Sequence, residues 1–130
     1  MTTARALLCV ALAGACSKSE PSAPPPAAHV AGPVAKDPEA ARKLIASGAT
    51  VIDVRTPAEY AQDHVPSAVN IPVQDFANRL DEVGKLVGGD RDRPVVLYCA
   101  KGGRAAKAKA QLDAAGYTHV VNGGGLDDLR

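Results

Sequence analysis

The chain has 130 residues, a formal net charge of +1 and a hydrophobic fraction of 46%, values typical of a globular domain and not of a chain disordered throughout. The length fits one domain of ordinary size, and the near-neutral charge argues against the broad basic surface that a nucleic-acid binder needs. The three cysteines, Cys9, Cys16 and Cys99, are too few and too scattered for a disulfide scaffold or a four-ligand zinc site. We therefore expect neither a metal site nor a nucleic-acid partner.

The first fifteen residues, 1–15, are typical of an export signal. Arg5 places a positive charge ahead of an uncharged apolar run at 6–15. This run is shorter than the about 20 residues that a membrane-spanning helix needs, and it fits the hydrophobic region of a secretory signal peptide. The sequence therefore predicts that the protein is exported.

Small residues precede Cys16, and the segment 12–16 resembles the lipobox of bacterial lipoproteins. In those proteins the cysteine is lipidated and becomes the first mature residue, so the resemblance implies a lipid anchor on Cys16 and no other membrane contact. Ala13 stands where a lipobox usually has Leu, so cleavage after Ala15 by ordinary signal peptidase stays open as an alternative. Either route predicts an exported bacterial protein in the periplasm or the cell envelope.

A tether and one domain follow the signal. Residues 16–36 are rich in Pro and Ala, including the run at 24–26, and proline favours an extended chain over packed structure. We expect a disordered tether there. The folded domain is predicted at 37–130, with Cys99 as its single cysteine.

The domain alternates predicted helices and strands in chain order. Asp37-Pro38 and Thr56-Pro57 are helix starts, since each pair supplies a capping side chain followed by proline at the first helical position. β-Branched and apolar runs predict strands at 50–54, 68–71, 95–98 and 119–121. Further helices are expected at 75–87 and 104–115, with a final helical turn within 125–130. This alternation predicts an α/β domain built around a parallel sheet.

The most informative segment begins where the strongest strand ends, at Cys99. Ligands of open parallel sheets bind beyond the carboxyl ends of the strands, and the start of the following helix offers unpaired N–H groups. Gly102 and Gly103 let the backbone curl so that its amides point at an anion. Lys101 and Arg104 add two positive charges. All these features favour a thiolate, and we predict a lowered pKa for the Cys99 thiol and a nucleophilic sulfur in an anion-binding cradle.

Other interpretations of this segment have less support. By its position alone, Cys99 could equally be a small apolar residue buried at a strand end, with no chemical role. A Walker-type phosphate loop is excluded because Lys101 precedes the glycines, which reverses the order that the motif needs. A cysteine protease would need a histidine partner, and nothing in the sequence ties His64 or His119 to Cys99.

Three motifs in register resemble the rhodanese (sulfurtransferase) domain. They are DVRTPAEY at 53–60, HVPSAVNIP at 64–72 and CAKGGR at 99–104. The resemblance covers 37–130 and implies the single-domain type of this family, a small α/β fold with a central parallel sheet of about five strands flanked by helices. It also implies transfer of a sulfane sulfur from thiosulfate or a similar donor to a thiophilic acceptor, such as cyanide, a thiol or a protein, through a persulfide on Cys99. That chemistry uses no metal and no organic cofactor.

The resemblance assigns roles to the cysteine loop. Cys99 takes the sulfur, and the backbone that surrounds it is that of Ala100, Lys101, Gly102, Gly103 and Arg104. Arg104 closes the loop and helps to hold an anionic donor, because a guanidinium suits oxyanions. Lys101 aids the binding of thiosulfate.

Residues of the first two motifs are expected to support the site. Asp53, Arg55 and Glu59 occupy the supporting positions, with Arg55 expected to pair with Glu59, although an ion pair of purely structural value would leave the same pattern. His64 lies in the His-x-Pro-x-Ala turn of the family, where a structural role is favoured over proton transfer. Asn122 and the three glycines after it resemble the family's closing turn near the site.

Two other functions remain open from the sequence. The same loop would serve a persulfide carrier or binding module with little turnover. A Cys-dependent phosphatase or arsenate reductase also places a cysteine and an arginine around an anion, but its cradle is one residue longer than the four residues between Cys99 and Arg104. The shorter loop suits a single extra sulfur better than a tetrahedral phosphate ester.

Overall fold

The computed structural model describes residues 35–130. Within this range, four α-helices span Pro38–Ala46 (α1), Pro57–Gln62 (α2), Leu80–Leu86 (α3) and Gly103–Ala114 (α4). Four strands span Thr50–Asp53 (β1), Ala68–Asn70 (β2), Val95–Cys99 (β3) and Val120–Gly125 (β4). Short 3-10 helices lie at Phe76–Arg79 and Asp127–Leu129.

The signal peptide predicted at 1–15 and nearly all of the tether predicted at 16–36 lie outside the described residues. Cys9 and Cys16, the predicted lipidation site, fall in that stretch, so Cys99 is the single cysteine of the part that the structure describes. Within 35–130, no helix is both long enough and apolar enough to span a membrane.

The strands form one parallel sheet in the order β2-β1-β3-β4. The connection after β1 runs to one side through α2 to β2, and the connection after β3 runs to the other side through α4 to β4. The ends of β1 and β3 lie side by side, with Asp53 opposite Tyr98 in the register. At such a switch point the diverging connections leave a crevice, where ligands of open α/β sheets bind. Cys99 ends β3 at this crevice.

An apolar layer covers each face of the sheet, because successive side chains of a strand point to opposite faces. The layer on the face of Cys99 contains Ile52, Val54, Leu97, Phe76, Val83 and Leu112. The layer on the other face contains Val51, Val96, Tyr98, Ala41 and Leu126. All five residues of β3 are buried, so the strand that ends at Cys99 lies at the centre of both layers.

The helix starts that the sequence predicts are confirmed. Asp37 caps α1 by accepting a hydrogen bond from Ala40 N at 2.9 Å. Thr56 caps α2, and Glu59 completes a capping box by accepting from Thr56 N at 3.0 Å. These caps fix where each helix begins, and the second orients the side chain of Glu59, which reaches Arg104 in the first turn of α4.

Three details differ from the expectations. The sheet of residues 35–130 has four strands, whereas the family resemblance implies about five. These four are the strands that the apolar runs of the sequence predict. β4 continues to Gly125, so the glycines expected in a closing turn lie in the strand, where a register shift between Leu97 and Cys99 accommodates them. The helix expected at 75–87 begins as a 3-10 turn, because Asp75 makes no side-chain cap and its carbonyl accepts from Asn78 N, three residues on.

Candidate active site

Cys99 lies at the switch point of the sheet with its side chain almost enclosed. The residue is 1% exposed. Its Sγ accepts a hydrogen bond from Gly102 N at 2.9 Å, so the loop after β3 brings its backbone back to the sulfur before α4 begins at Gly103. The predicted nucleophile is therefore held against the first amides of a helix, where unpaired N–H groups favour negative charge.

Two opposing effects set the pKa of the Cys99 thiol. Burial raises this pKa, because a thiolate loses solvation in the interior. Nearby backbone amides lower it by a larger total amount; these are the amides of Ala105, Lys101, Gly102 and Arg104, of which Gly102 N makes the 2.9 Å hydrogen bond. The pKa of Cys99 consequently lies below its ordinary value, as predicted. Backbone amides lower this pKa more than do the side-chain charges of Lys101 and Arg104, to which the sequence analysis also assigned the effect.

Glycines shape the cysteine loop and the strand behind it. Gly102 has φ +96°, in the left-handed region that favours glycine, and a Cβ built on it would lie 3.3 Å from Gly124 Cα. A Cβ on Gly125 would overlap the carbonyl oxygen of Ala100 at the other end of the loop. The glycine run of β4 thus lets this strand pass directly behind the loop that holds the sulfur.

Asn122 belongs to the site although the sequence assigned it no individual role. Its side chain is 2% exposed, Nδ2 donates to Gly102 O at 3.0 Å, and Oδ1 accepts from Gly124 N at 3.0 Å. A polar residue in a strand otherwise made of Val and Gly is the signal that could have found it, because a buried amide needs hydrogen-bond partners.

Arg104, in the first turn of α4, is paired with Glu59 of α2. Its Nη1 and Nη2 donate to Oε2 and Oε1 of Glu59 at 2.8 and 3.0 Å. The hydrogen bond from Arg104, followed by that from the Thr56 amide, lowers the pKa of Glu59 to about 2. Glu59 is therefore ionised at neutral pH, and it balances the charge of Arg104 at the edge of the cysteine loop.

The expected pairing of Arg55 with Glu59 is wrong. Arg55 binds Asp53 instead, with Nε and Nη2 donating to Asp53 Oδ2 at 3.0 and 2.7 Å. Asp53 is fully buried and needs a counter-charge, and the two side chains leave the end of β1 on the same side, two residues apart. The guanidinium also lies 5.6 Å over the ring of Tyr98. Since Tyr98 points away from Cys99, this ion pair supports the site from the opposite face of the sheet.

The rest of the loop lies at the surface. Ala100, Lys101 and Gly103 are exposed. Among the ion pairs formed within 35–130, none includes Lys101. Lys101 is therefore an uncompensated positive charge two residues from the thiol, whereas the charge of Arg104 is already balanced.

His64 serves the turn between α2 and β2. Its ring stacks on that of Tyr60, with the centroids 3.8 Å apart, and its Nδ1 lies 2.8 Å from Tyr60 O. The hydrogen bond of the Cys99 sulfur comes from an amide and not from an imidazole. This arrangement agrees with the structural role expected for His64 and argues against a cysteine protease.

A cavity of about 840 Å³ lies away from Cys99, lined by residues of α3, by the loop at 88–91 and by Tyr117. These segments precede β3 and β4, so the cavity opens at the amino-terminal edge of the sheet. It holds charges of both signs and no thiol. In the part of the chain that the structure describes, no cluster of His, Cys, Asp or Glu side chains could hold a metal ion.

Comparisons with known proteins agree with this assignment. A family model of the rhodanese-like domain matches residues 37–128. Thiosulfate sulfurtransferase PspE of Escherichia coli (strain K12) is 41% identical over 78 residues, which are 60% of this chain and 71% of PspE. A solved structure of a rhodanese with anions from E. coli has a TM-score of 0.56 and 41% identity, covering 62% of this chain and 91% of that one.

The human single-domain sulfurtransferase TSTD1 has a TM-score of 0.55 and 30% identity, covering 71% of this chain and 90% of that one. The family match includes all three motifs and extends over well more than half of the chain. The solved relatives share its fold, a parallel sheet with helices on both faces. The chain therefore belongs to the rhodanese-like domain family and is an enzyme of the rhodanese type.

Proposed function

We propose that this protein moves a sulfane sulfur from thiosulfate, or a similar anionic donor, to a thiophilic acceptor through a persulfide on Cys99. The observation that carries the proposal is the Cys99 thiol, whose pKa is lowered by amides that converge on it. PspE is a thiosulfate sulfurtransferase, and the similar E. coli structure is a rhodanese with anions, which favours an anionic donor for this chain.

In the first half-reaction, the Cys99 thiolate attacks the sulfane sulfur of thiosulfate. A bond forms between Sγ and that sulfur, the S–S bond of thiosulfate breaks, and sulfite leaves with the electron pair. The lowered pKa of Cys99 supplies the nucleophile without a neighbouring base. The persulfide keeps one negative charge, so the amides that stabilise the thiolate also stabilise the product.

In the second half-reaction, an acceptor nucleophile attacks the outer sulfur of the persulfide. The S–S bond breaks, its electron pair returns to Cys99 Sγ, and the thiolate is restored. With cyanide as acceptor, the product is thiocyanate; a small thiol or a protein thiol would become the persulfide instead. The cycle needs no metal and no organic cofactor.

The residues around Cys99 have different roles in this proposal. The backbone from Ala100 to Arg104 binds the donor anion, and Lys101 attracts it, being exposed and outside the ion pairs of the described residues. Arg104 closes the loop by holding it to Glu59. The buried pair of Asp53 and Arg55 supports the end of β1 behind the site.

Steady-state transfer from thiosulfate to cyanide by the purified domain, compared with Cys99→Ser, tests the proposal. The wild type should form thiocyanate and gain one sulfur atom by mass spectrometry when thiosulfate alone is supplied. Cys99→Ser should show neither, because a hydroxyl at this position is not ionised at neutral pH. A wild type that gains no sulfur, with a Cys99 that resists alkylation, would contradict both transfer and carriage. Hydrolysis of a phosphate ester would point to a phosphatase.

A persulfide carrier is the second candidate, and the burial of Cys99 favours it. With 1% of the residue exposed, a bulky acceptor reaches the sulfur only if the loop moves. A carrier would take up one sulfur from the donor but release it to cyanide slowly. Stoichiometric sulfur gain without turnover would therefore select the carrier over the enzyme acting on small molecules.

We propose further that the mature protein is held in the bacterial cell envelope by a lipid on Cys16. The support is the charged start, the apolar run and the lipobox-like segment 12–16. The proline-rich stretch at 16–36 would then separate the domain from the membrane surface.

A further inference from the structure

Three parts of the chain meet at Asn122. Its Nδ2 donates to Gly102 O in the cysteine loop, its Oδ1 accepts from Gly124 N within β4, and its own carbonyl accepts from Asp37 N at 2.8 Å, just before α1. The side chain is 2% exposed, so these bonds form away from competing water. The side chain of Asn122 therefore ties the cysteine loop to β4, while its main-chain carbonyl ties β4 to the residue before α1.

The hydrogen bond from Asn122 to the carbonyl of Gly102 matters because the N–H of the same residue donates to the Cys99 sulfur. Gly102 N donates to the Cys99 sulfur at 2.9 Å, and its carbonyl accepts from Asn122 Nδ2 and, at 2.9 Å, from Ala106 N. The residue stands at φ +96°, which a free loop would leave easily because glycine has many other conformations. The two bonds to its carbonyl therefore restrict the rotation that would turn its N–H away from the sulfur.

We infer that Asn122 is a positioning residue for sulfur transfer, one that keeps the amide of Gly102 pointed at Cys99 Sγ by holding the carbonyl of Gly102. This inference rests on the proposed function, since it concerns how the same thiolate is stabilised. Asn122 does not contact the sulfur; it acts through Gly102. Its removal should leave the thiol in place but weaken one of the hydrogen bonds that favour the thiolate.

Asn122→Ala and Asn122→Leu remove the donor without adding charge; Ala truncates the side chain, whereas Leu keeps the branching at Cγ in a larger side chain. In both variants the midpoint of the pH profile of Cys99 alkylation should rise by about one pH unit, so that at a pH below both midpoints the rate falls roughly tenfold. Asn70→Ala is the matched control, because Asn70 Nδ2 also donates to backbone carbonyls, those of Asp53 and Arg55, but from β2. Its midpoint should equal that of the wild type.

Val83→Ala separates positioning from loss of stability. Val83 is a fully buried residue of α3, a helix that makes none of the hydrogen bonds described for the cysteine loop, and its truncation destabilises the core. It should lower the free energy of unfolding as much as the Asn122 variants do, yet leave the alkylation midpoint unchanged. If Val83→Ala moves the midpoint equally, or if folded Asn122 variants keep the wild-type midpoint, the inference is overturned.

A measurement on the wild type covers the case in which the Asn122 variants do not fold. Nuclear magnetic resonance of the full chain should show the Asn122 side-chain amide and the Gly102 amide shifting together as Cys99 titrates. Absence of a shift at Asn122 would overturn the inference. The proposed function fails separately, when the wild type takes up no sulfur from thiosulfate whatever the alkylation midpoints are.

Discussion

Backbone amides, more than charged side chains, stabilise the thiolate of Cys99. The guanidinium of Arg104 is bound through both Nη atoms to Glu59, which leaves Lys101 as the exposed positive charge next to the loop. An exposed charge acts through solvent and is screened by salt, whereas amides aimed at the sulfur are screened little. In the proposed function, Lys101 would therefore attract the donor through solvent, whereas the amides of the loop would hold both the thiolate and the bound donor.

Lys101→Ala should raise the KM for thiosulfate about three- to tenfold, because loss of one exposed charge near a dianion costs about 1 kcal/mol in water. The value of kcat should change little, since the thiolate is held by amides. Initial rates at several thiosulfate concentrations and two salt concentrations measure this, and high salt should reduce the difference from the wild type.

Lys85→Ala is the control for Lys101→Ala. Lys85 is also exposed, but it lines the cavity at the amino-terminal edge of the sheet, opposite to Cys99. Its removal changes the net charge by the same amount and should leave the KM unchanged. Equal effects of the two substitutions would show that overall charge, and not the position of Lys101, attracts the donor.

Glu59 should make stability depend on pH in acid. Its pKa is about 2 in the folded protein, below the ordinary 4.5, so the unfolded chain takes up the proton first as pH falls. The stabilisation is therefore complete above pH 4.5 and is lost as pH drops toward 2. Glu59→Gln should cost about 1 kcal/mol of unfolding free energy at neutral pH, because the pair is partly exposed, and this difference should vanish in acid.

Urea unfolding at stepped pH measures the effect of Glu59→Gln. Glu39→Gln serves as its control, because Glu39 pairs with Lys43 at 2.9 Å on an open surface and should contribute little at any pH. A Glu59→Gln penalty that stays constant down to about pH 2 would mean that the pairing with Arg104 does not depress the pKa in solution.

At the scale of elements, glycines allow β4 and the cysteine loop to pack closely against each other. The loop turns at Gly102 and rests on Gly124 and Gly125, and Leu126 N donates to Cys99 O at 3.0 Å just after the strand. A side chain at Gly102 or at Gly125 would push the strand and the loop apart. The position of the loop is consequently set by a neighbouring strand as well as by its own glycine.

Gly125→Ala should destabilise the protein by roughly 2 kcal/mol or more, because its Cβ would overlap Ala100 O and a packed backbone yields little. Gly103→Ala is the matched substitution: nothing lies within 4 Å of its Cβ, and it opens α4, where alanine favours the helix. It should be neutral or stabilising. Urea unfolding of both variants measures this, and equal losses would refute the contact.

The sequence predicts a helix or strand correctly where the residues that determine it lie within a few positions of one another. The caps at Asp37 and Thr56 and the apolar run at 95–98 each act within a few residues, and each element formed as predicted. The end of β4 was not predictable in this way. Its glycines suggest a turn by themselves, and they extend as a strand because β3 offers hydrogen bonds across a register shift.

At the scale of the whole molecule, the charge of +1 conceals an uneven distribution. The domain presents Lys101 beside the cysteine loop, while the segment 1–15 carries its own charge and apolar run, which we propose to serve export. The two proposed functions would use different cysteines. Cys16 is proposed to hold the lipid and Cys99 to hold the sulfur.

Cys16→Ser tests the anchor in the full chain expressed in a bacterium. The wild type should incorporate labelled fatty acid and remain with membranes after cell fractionation, because a cysteine that carries two or more acyl chains binds them stably. Cys16→Ser should incorporate no label, whereas Cys9→Ser, in the same segment, should behave as the wild type. A mature wild-type chain that begins at Cys16 without added lipid mass would indicate ordinary signal peptidase instead.

The sequence by itself determined the alternation of strands and helices and the turn of backbone after Cys99, the proposed nucleophile. These depend on neighbours in the chain: caps, apolar runs, and a strand, loop and helix in immediate succession. Only the tertiary structure decided that Arg55 pairs with Asp53, that Arg104 pairs with Glu59, and that Asn122 holds Gly102. Such pairings depend on the face from which each side chain leaves the sheet and on the order β2-β1-β3-β4, which brings distant residues together.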